Sequence, residues 1–220
     1  LFLFGIKKID MGDVEGRMLF VFLAVYCVGT ANFYNFMDGI DGLSAISGIV
    51  GFALLGFSAY YYASNFSLAT LSFCICFACS GFLPFNLPIA RVFMGDVGSI
   101  LLGFSFAAIV VLIAKNPAGI ICYSSFLFPF YADEFTTMMI RIKQGDNLSR
   151  PHRKHLYQIL ANELAIPHWK ISAFYCISQL TVAISALFLK DTFGLLILLL
   201  SFYYLILCMI FYYCRKKVKL

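Results

Sequence analysis

Asn32, Asn35, Asp38 and Asp41 recur at every third position of NFYNFMDGIDGL, residues 32–43. On a helix this spacing drifts by about 60° per step, so neighbouring members share a face and their oxygens can converge on one ligand. Amide and carboxylate oxygens are hard donors suited to Mg²⁺, which takes one or two carboxylates and completes its shell with water and phosphate oxygens. A second cluster, FNLPIARVFMGDVGS at 85–99, carries Asn86 and Asp96. Gly95 and Gly98 on either side of Asp96 permit close backbone approach, and the N–H groups of a helix start attract phosphate. A carboxylate beside such an anion site points to a metal bridging to a bound phosphate. A third cluster, RPHRKHLYQ at 150–158, gathers Arg150, His152, Arg153, Lys154 and His155, whose side chains donate to phosphate oxygens. Each cluster also has a plainer reading: helix caps after an Asp-Gly turn, an N-cap at Asp96, and a basic loop that touches lipid headgroups.

The elements that must hold these residues are set by composition. Of 220 residues, 62% are hydrophobic and 12% charged, where soluble domains average roughly 45–50% and about 25%. With a mean hydropathy of +0.89, a soluble globular fold and a disordered chain are both excluded, and lipid is the solvent. Apolar stretches long enough to cross a bilayer run over 18–37, 43–63, 68–85, 97–114, 118–140, 169–189 and 192–213. The expected fold is therefore an all-α polytopic membrane protein with about seven transmembrane helices, forming one domain over 1–220. The fifth stretch is interrupted by Pro129, Asp133 and Glu134, and Asp133 is expected to wall the polar site, because intramembrane carboxylates are costly away from a polar cavity. The eight cysteines lie almost all inside apolar runs and read as small buried hydrophobes rather than disulfides or a zinc site.

The net charge of +5 reads as a positive-inside bias, with no nucleic-acid partner expected. Seven crossings with the tail Arg215, Lys216, Lys217 and Lys219 inside place eleven basic residues on that side and five on the other. The expected orientation is N-terminus outside, C-terminus cytoplasmic. The three clusters then fall on one cytoplasmic face, at the ends of crossings one, three and five. His168, beside Trp169, reads as an interfacial residue opening the sixth crossing.

The three ordered motifs NFYNFMDGIDGL, FNLPIARVFMGDVGS and PHRKHLYQ resemble those of the polyprenyl-phosphate N-acetylhexosamine-1-phosphate transferases, relatives of the phospho-N-acetylmuramoyl-pentapeptide transferase of peptidoglycan synthesis. The resemblance covers nearly the whole chain. It implies a multi-pass enzyme of the bacterial inner membrane that transfers a sugar 1-phosphate from a UDP-N-acetylhexosamine to undecaprenyl phosphate, releasing UMP and using Mg²⁺. Carried over by position, Asn32 and Asp96 resemble metal-contacting residues and Asp38 and Asp41 the catalytic acidic pair. Asn35, Asn86, His152, Arg153 and His155 fall on the substrate-binding side, the last three in the family's histidine loop. His152 and His155 stand three apart where the peptidoglycan branch has consecutive histidines. That spacing resembles the branch that initiates O-antigen or similar surface glycans, usually from UDP-N-acetylglucosamine or a 6-deoxy relative. The family also carries an Asp-Asp motif and several helices ahead of the first cluster. This chain is accordingly expected to be the C-terminal portion of a larger enzyme, with a second copy or a separate N-terminal piece as protein partner.

Two other classes compete. A small-solute transporter calls for matched repeats or broken helices at the midplane, whereas these polar residues sit at the membrane edge. An inactive fragment or assembly subunit keeps the motifs without the first acidic loop.

Overall fold

The computed structural model describes residues 13–147 and 153–218, together with the backbone of two short strands, Phe2–Leu3 and Lys7–Lys8, which pair antiparallel. The rest of the described chain is built from helices. Asp13 opens α1 (Val14–Phe36) by accepting the Gly16 N–H. α2 (Leu43–Tyr61) starts after Gly42, whose φ of 81° lies in the left-handed region that a residue with a Cβ avoids. Asn65 caps α3 (Phe66–Asn86) by accepting the Leu68 N–H at 3.1 Å. α4 covers Gly95–Ile113, and Asn116 with Pro117 begins α5 (Pro117–Ser124). A 3₁₀ turn, Ser125–Leu127, leads to α6 (Phe128–Lys143). The short α7 (Leu156–Gln158) continues as a π-turn over Ile159–Glu163, and α8 (His168–Phe188) and α9 (Phe193–Val218) follow.

Among the described residues six helices, α1, α2, α3, α4, α8 and α9, are long and apolar enough to cross a membrane. The stretch expected to cross at 118–140 is divided into α5, the 3₁₀ turn and α6, so that crossing is a broken helix rather than a continuous one. Pro129 lacks the N–H that an unbroken helix needs there, and its ring would strike the carbonyl one turn back. The break delivers Asp133 and Glu134, both buried, to the polar end of the bundle.

α2 is the most enclosed spanning helix and α9 the least. α2 packs between α3 and α8, with Phe52, Leu55 and Ala59 fully buried. α1 lies so close to α4 that a Cβ on Gly103 would sit 2.7 Å from the Ala31 Cα and 2.8 Å from the Thr30 carbonyl oxygen. Large apolar side chains such as Phe22, Phe77, Leu101, Ile177 and Leu198 point outward, an arrangement that suits lipid and not water. At one end of the bundle Lys115 donates to the Tyr62 carbonyl at 3.1 Å and Lys190 stands 3.5 Å above the Tyr62 ring. The ends of α1 and α3 and the starts of α2, α7 and α8 meet at the other end.

Candidate active site

The loop between α1 and α2 is the meeting point. The Gly42 N–H donates to Asn86 Oδ1 at 2.8 Å, tying the first polar cluster to the second, while Asn86 Nδ2 donates to the Val92 carbonyl at 3.0 Å. The Tyr157 hydroxyl donates to the Phe36 carbonyl at 2.8 Å, tying the third cluster to the first. Gly39 lies directly against that tyrosine, where a Cβ would collide with the hydroxyl and ring. Three segments remote in sequence thus converge, as the parity of the crossings predicts.

Asp38 is half-buried in this loop and accepts a hydrogen bond from the Ser44 hydroxyl. Burial pushes its carboxyl up to about 6; the Ser44 hydrogen bond opposes the shift and the charge of Asp96 adds to it. Asp96 stands exposed in the first turn of α4. The N-cap there is Met94, with no side-chain cap, so the plainer reading of Asp96 as the helix cap does not hold. Asn35 is half-buried. Asn32 is exposed one turn earlier on α1 and donates to the Val28 carbonyl at 2.8 Å.

Asp41 is held by the first turns of α8. Its Oδ2 lies 3.2 Å from His168 Nδ1, its own N–H lies 3.3 Å from the same nitrogen, and its carbonyl accepts from Ser172 at 3.0 Å. A ring with Nδ1 bare accepts from the Asp41 N–H, whereas a ring with a proton on Nδ1 donates to the carboxylate, so the pair has two mutually exclusive arrangements.

Asp133 organises the histidine loop. It is fully buried. Its carboxylate accepts from the Leu156 N–H at 2.9 Å, the Tyr157 N–H at 3.4 Å, the Tyr175 hydroxyl at 2.6 Å and the Thr137 hydroxyl at 3.2 Å. His155, expected on the substrate side, is 3% exposed and lies between two carboxylates, with Nδ1 3.5 Å from Asp133 Oδ1 and Nε2 3.5 Å from Glu134 Oε2. That is an anchoring position for the loop. Arg153 is exposed, and Lys154 pairs with Asp146. His152 lies outside the described residues.

Burial pulls the His155 pKa down, but the hydrogen bond and charge of Asp133 and the charge of Glu134 outweigh it and leave the ring raised. The folded state therefore binds this proton more tightly than the unfolded chain. The resulting stability is complete below the unfolded value near 6.5 and is lost as pH rises through the folded one. Thermal unfolding in detergent should show the midpoint of the wild-type chain falling between about pH 6 and 9 more steeply than that of His155→Gln. Equal slopes would contradict the pairing.

The donor set suits a hard cation. The charge of Asp96 helps to raise the Asp38 carboxyl, so a cation near Asp38 relieves a repulsion already present. Among the described residues no group of three His, Cys, Asp or Glu stands ready to hold a metal unaided.

Sequence reasoning misses Ser44, Tyr157, Tyr175 and His168 as contributors. His168 carries one signal: parity puts it on the same face as the clusters. Tyr157 lies inside the third motif, but its reach to Phe36 depends on tertiary packing.

A profile of the family described as glycosyl transferase family 4 matches residues 2–114. The chain is similar to the phospho-N-acetylmuramoyl-pentapeptide-transferase of Staphylococcus saprophyticus, at 36% identity over 96 residues, which is 44% of this chain and 30% of that protein. The protein of the same name from Staphylococcus epidermidis is 43% identical over 98 residues, again 44% of this chain and 30% of the relative. That from Listeria innocua is 37% identical over 112 residues, covering 50% and 34%. The chain thus spans about a third of the length of the curated relatives it matches.

Proposed function

Because this chain belongs to glycosyl transferase family 4, we propose that its polar cluster is where an N-acetylhexosamine 1-phosphate passes from a UDP-sugar to undecaprenyl phosphate, with release of UMP, in a bacterial inner membrane. The observation that carries this reading is the convergence of Asp38, Asp41, Asn86 and the histidine loop at one end of a lipid-facing bundle, with Asp96 in electrostatic range of Asp38. A water-borne nucleotide and a membrane-borne phosphate can meet only at such a boundary. The eleven-to-five distribution of basic residues supports placing this end in the cytoplasm.

In the preferred reaction an oxygen of the lipid phosphate attacks the sugar-bearing phosphorus in line. A new P–O bond forms there, the bond to the bridging oxygen breaks, and UMP departs. Mg²⁺ held by Asp38 and Asp96, with Asn32 nearby, would screen the two anions from one another. Burial raises the Asp38 carboxyl to about 6 without a cation, and a cation bound beside it would favour the ionised carboxylate. Asn86 and Tyr157 hold the loop that carries it. Arg153 adds an exposed positive charge to the same loop as His155. An alternative route forms a phospho-Asp38 intermediate before lipid attack.

The spacing of His152 and His155 favours UDP-N-acetylglucosamine or a 6-deoxy relative and a surface glycan such as O-antigen. The names of the relatives favour a second reading, phospho-N-acetylmuramoyl-pentapeptide as the transferred group. Membranes containing the chain co-expressed with a family N-terminal portion that carries the Asp-Asp motif, supplied with undecaprenyl phosphate, Mg²⁺ and each UDP-sugar in turn, should release UMP from UDP-N-acetylglucosamine, EDTA should stop that release, and the chain alone should release none. UMP formed only from the muramoyl-pentapeptide donor would select the second reading. A co-expressed pair inactive with every donor alongside an active family enzyme would support the inactive-fragment or assembly-subunit alternative.

A further inference from the structure

A second polar constellation lies apart from this site. The C-terminal ends of α6 and α9 enclose a cavity of about 590 Å³ lined by Lys143 from α6 and by Arg215 and Lys216 from the last turn of α9. Its remaining wall includes Met139, Tyr204 and Phe211, and no carboxylate among the described residues lines it. The Nη1 of Arg215 is shielded from solvent and has no hydrogen-bond partner among the described residues. A shielded guanidinium N–H is costly unless something accepts from it, and its planar fork matches phosphate oxygens. Cations in the last turn of a membrane helix are ordinary on helix-dipole and positive-inside grounds. That account covers Lys216 and Lys217, but not Lys143 across the cavity or the unpartnered Nη1. Tyr204 also lines a neighbouring cavity of about 590 Å³ whose wall is almost wholly apolar, including Phe22, Phe135, Leu200 and Leu205.

We propose that the basic cavity binds the phosphate of an anionic phospholipid whose acyl chain follows the apolar cavity beyond Tyr204. The three cations with no carboxylate supply the charge complementarity, and the adjoining apolar wall distinguishes a lipid from a soluble anion.

Native mass spectrometry of the full chain, released from detergent micelles containing dioleoylphosphatidylglycerol or dioleoylphosphatidylcholine, tests this. The wild-type chain should retain one phosphatidylglycerol and no phosphatidylcholine. Lys143→Gln combined with Arg215→Gln should weaken retention about thirtyfold, the effect of two basic contacts at a membrane surface. Lys115→Gln combined with Lys170→Gln removes the same charge elsewhere and should change nothing, and Arg215→Lys should preserve most of the binding. Should the glutamine pair fail to fold, the contrast between the two lipids on the wild-type chain decides. Equal retention of both lipids, or undiminished retention by the folded glutamine pair, would overturn the proposal. So would displacement of the phosphatidylglycerol by inorganic phosphate, which makes the cavity a free-anion site, or by equimolar undecaprenyl phosphate, which makes it a site for the lipid substrate.

Discussion

Replacing Asp133 by leucine should destabilise the protein by about 3–5 kcal/mol, the range for removing one partner from a buried charged network. One carboxylate satisfies two backbone N–H groups of α7, the hydroxyls of Tyr175 and Thr137, and one side of the His155 ring. Leucine leaves all of them buried without an acceptor, and each stranded donor costs about 1–3 kcal/mol where it cannot rearrange to water. Asp133→Asn should fall between, because an amide offers one accepting oxygen for several donors. Denaturation in mixed micelles gives the stability, and protease susceptibility between Arg141 and Lys154 gives the state of the loop. A loss under about 1 kcal/mol with unchanged cleavage would mean that the carboxylate does not seat the loop.

The largest effect on chemistry is expected at Asp38 and Asp96, whose carboxylates lie in electrostatic range. In membranes of the co-expressed pair, with protein level unchanged, Asp38→Asn and Asp96→Asn should each lower sugar-phosphate transfer by about a thousandfold or more, because each removes charge that holds the cation against two phosphates. His168→Ala should cost only about tenfold, since that ring orients Asp41 and its loss leaves both of these carboxylates in place. Initial rates of lipid-linked product formation over a range of Mg²⁺ concentrations provide the comparison. Near-normal turnover by Asp96→Asn would remove Asp96 from the cation site.

The residues explain which parts of this site can be read in the sequence. Asn32, Asn35, Asp38 and Asp41 stand out because polar groups are rare in a chain that is 62% hydrophobic, and each one at a membrane edge calls for a reason. Convergence of the three motifs follows from counting crossings, even though the fifth crossing is a broken helix, because the break preserves the parity. The break itself is only half legible: Pro129 marks it, but the 3₁₀ turn before it does not. The inward turn of His155 is hidden for a different reason. A histidine among arginines and lysines suggests an open anion site, and the two carboxylates that capture it come from Asp133 and Glu134 on α6, about twenty residues earlier in the chain. The roles of Asn86 and Tyr157 as ties between loops rest on backbone contacts to Gly42 and Phe36, which no side-chain pattern announces.

The central claim is that the site moves a phosphoryl group together with its sugar, and the fate of one atom tests it most directly. UDP-N-acetylglucosamine labelled with ³²P at the β-phosphorus is incubated with membranes containing the co-expressed pair, undecaprenyl phosphate and Mg²⁺, and the label is partitioned between organic and aqueous phases. In-line attack at the sugar-bearing phosphorus carries that phosphorus into the lipid and leaves unlabelled UMP in water. The account predicts label in the lipid in equal amount to UMP released, with both lost in Asp38→Asn. Label remaining in aqueous UDP while sugar enters the lipid would show attack at the sugar carbon and contradict it.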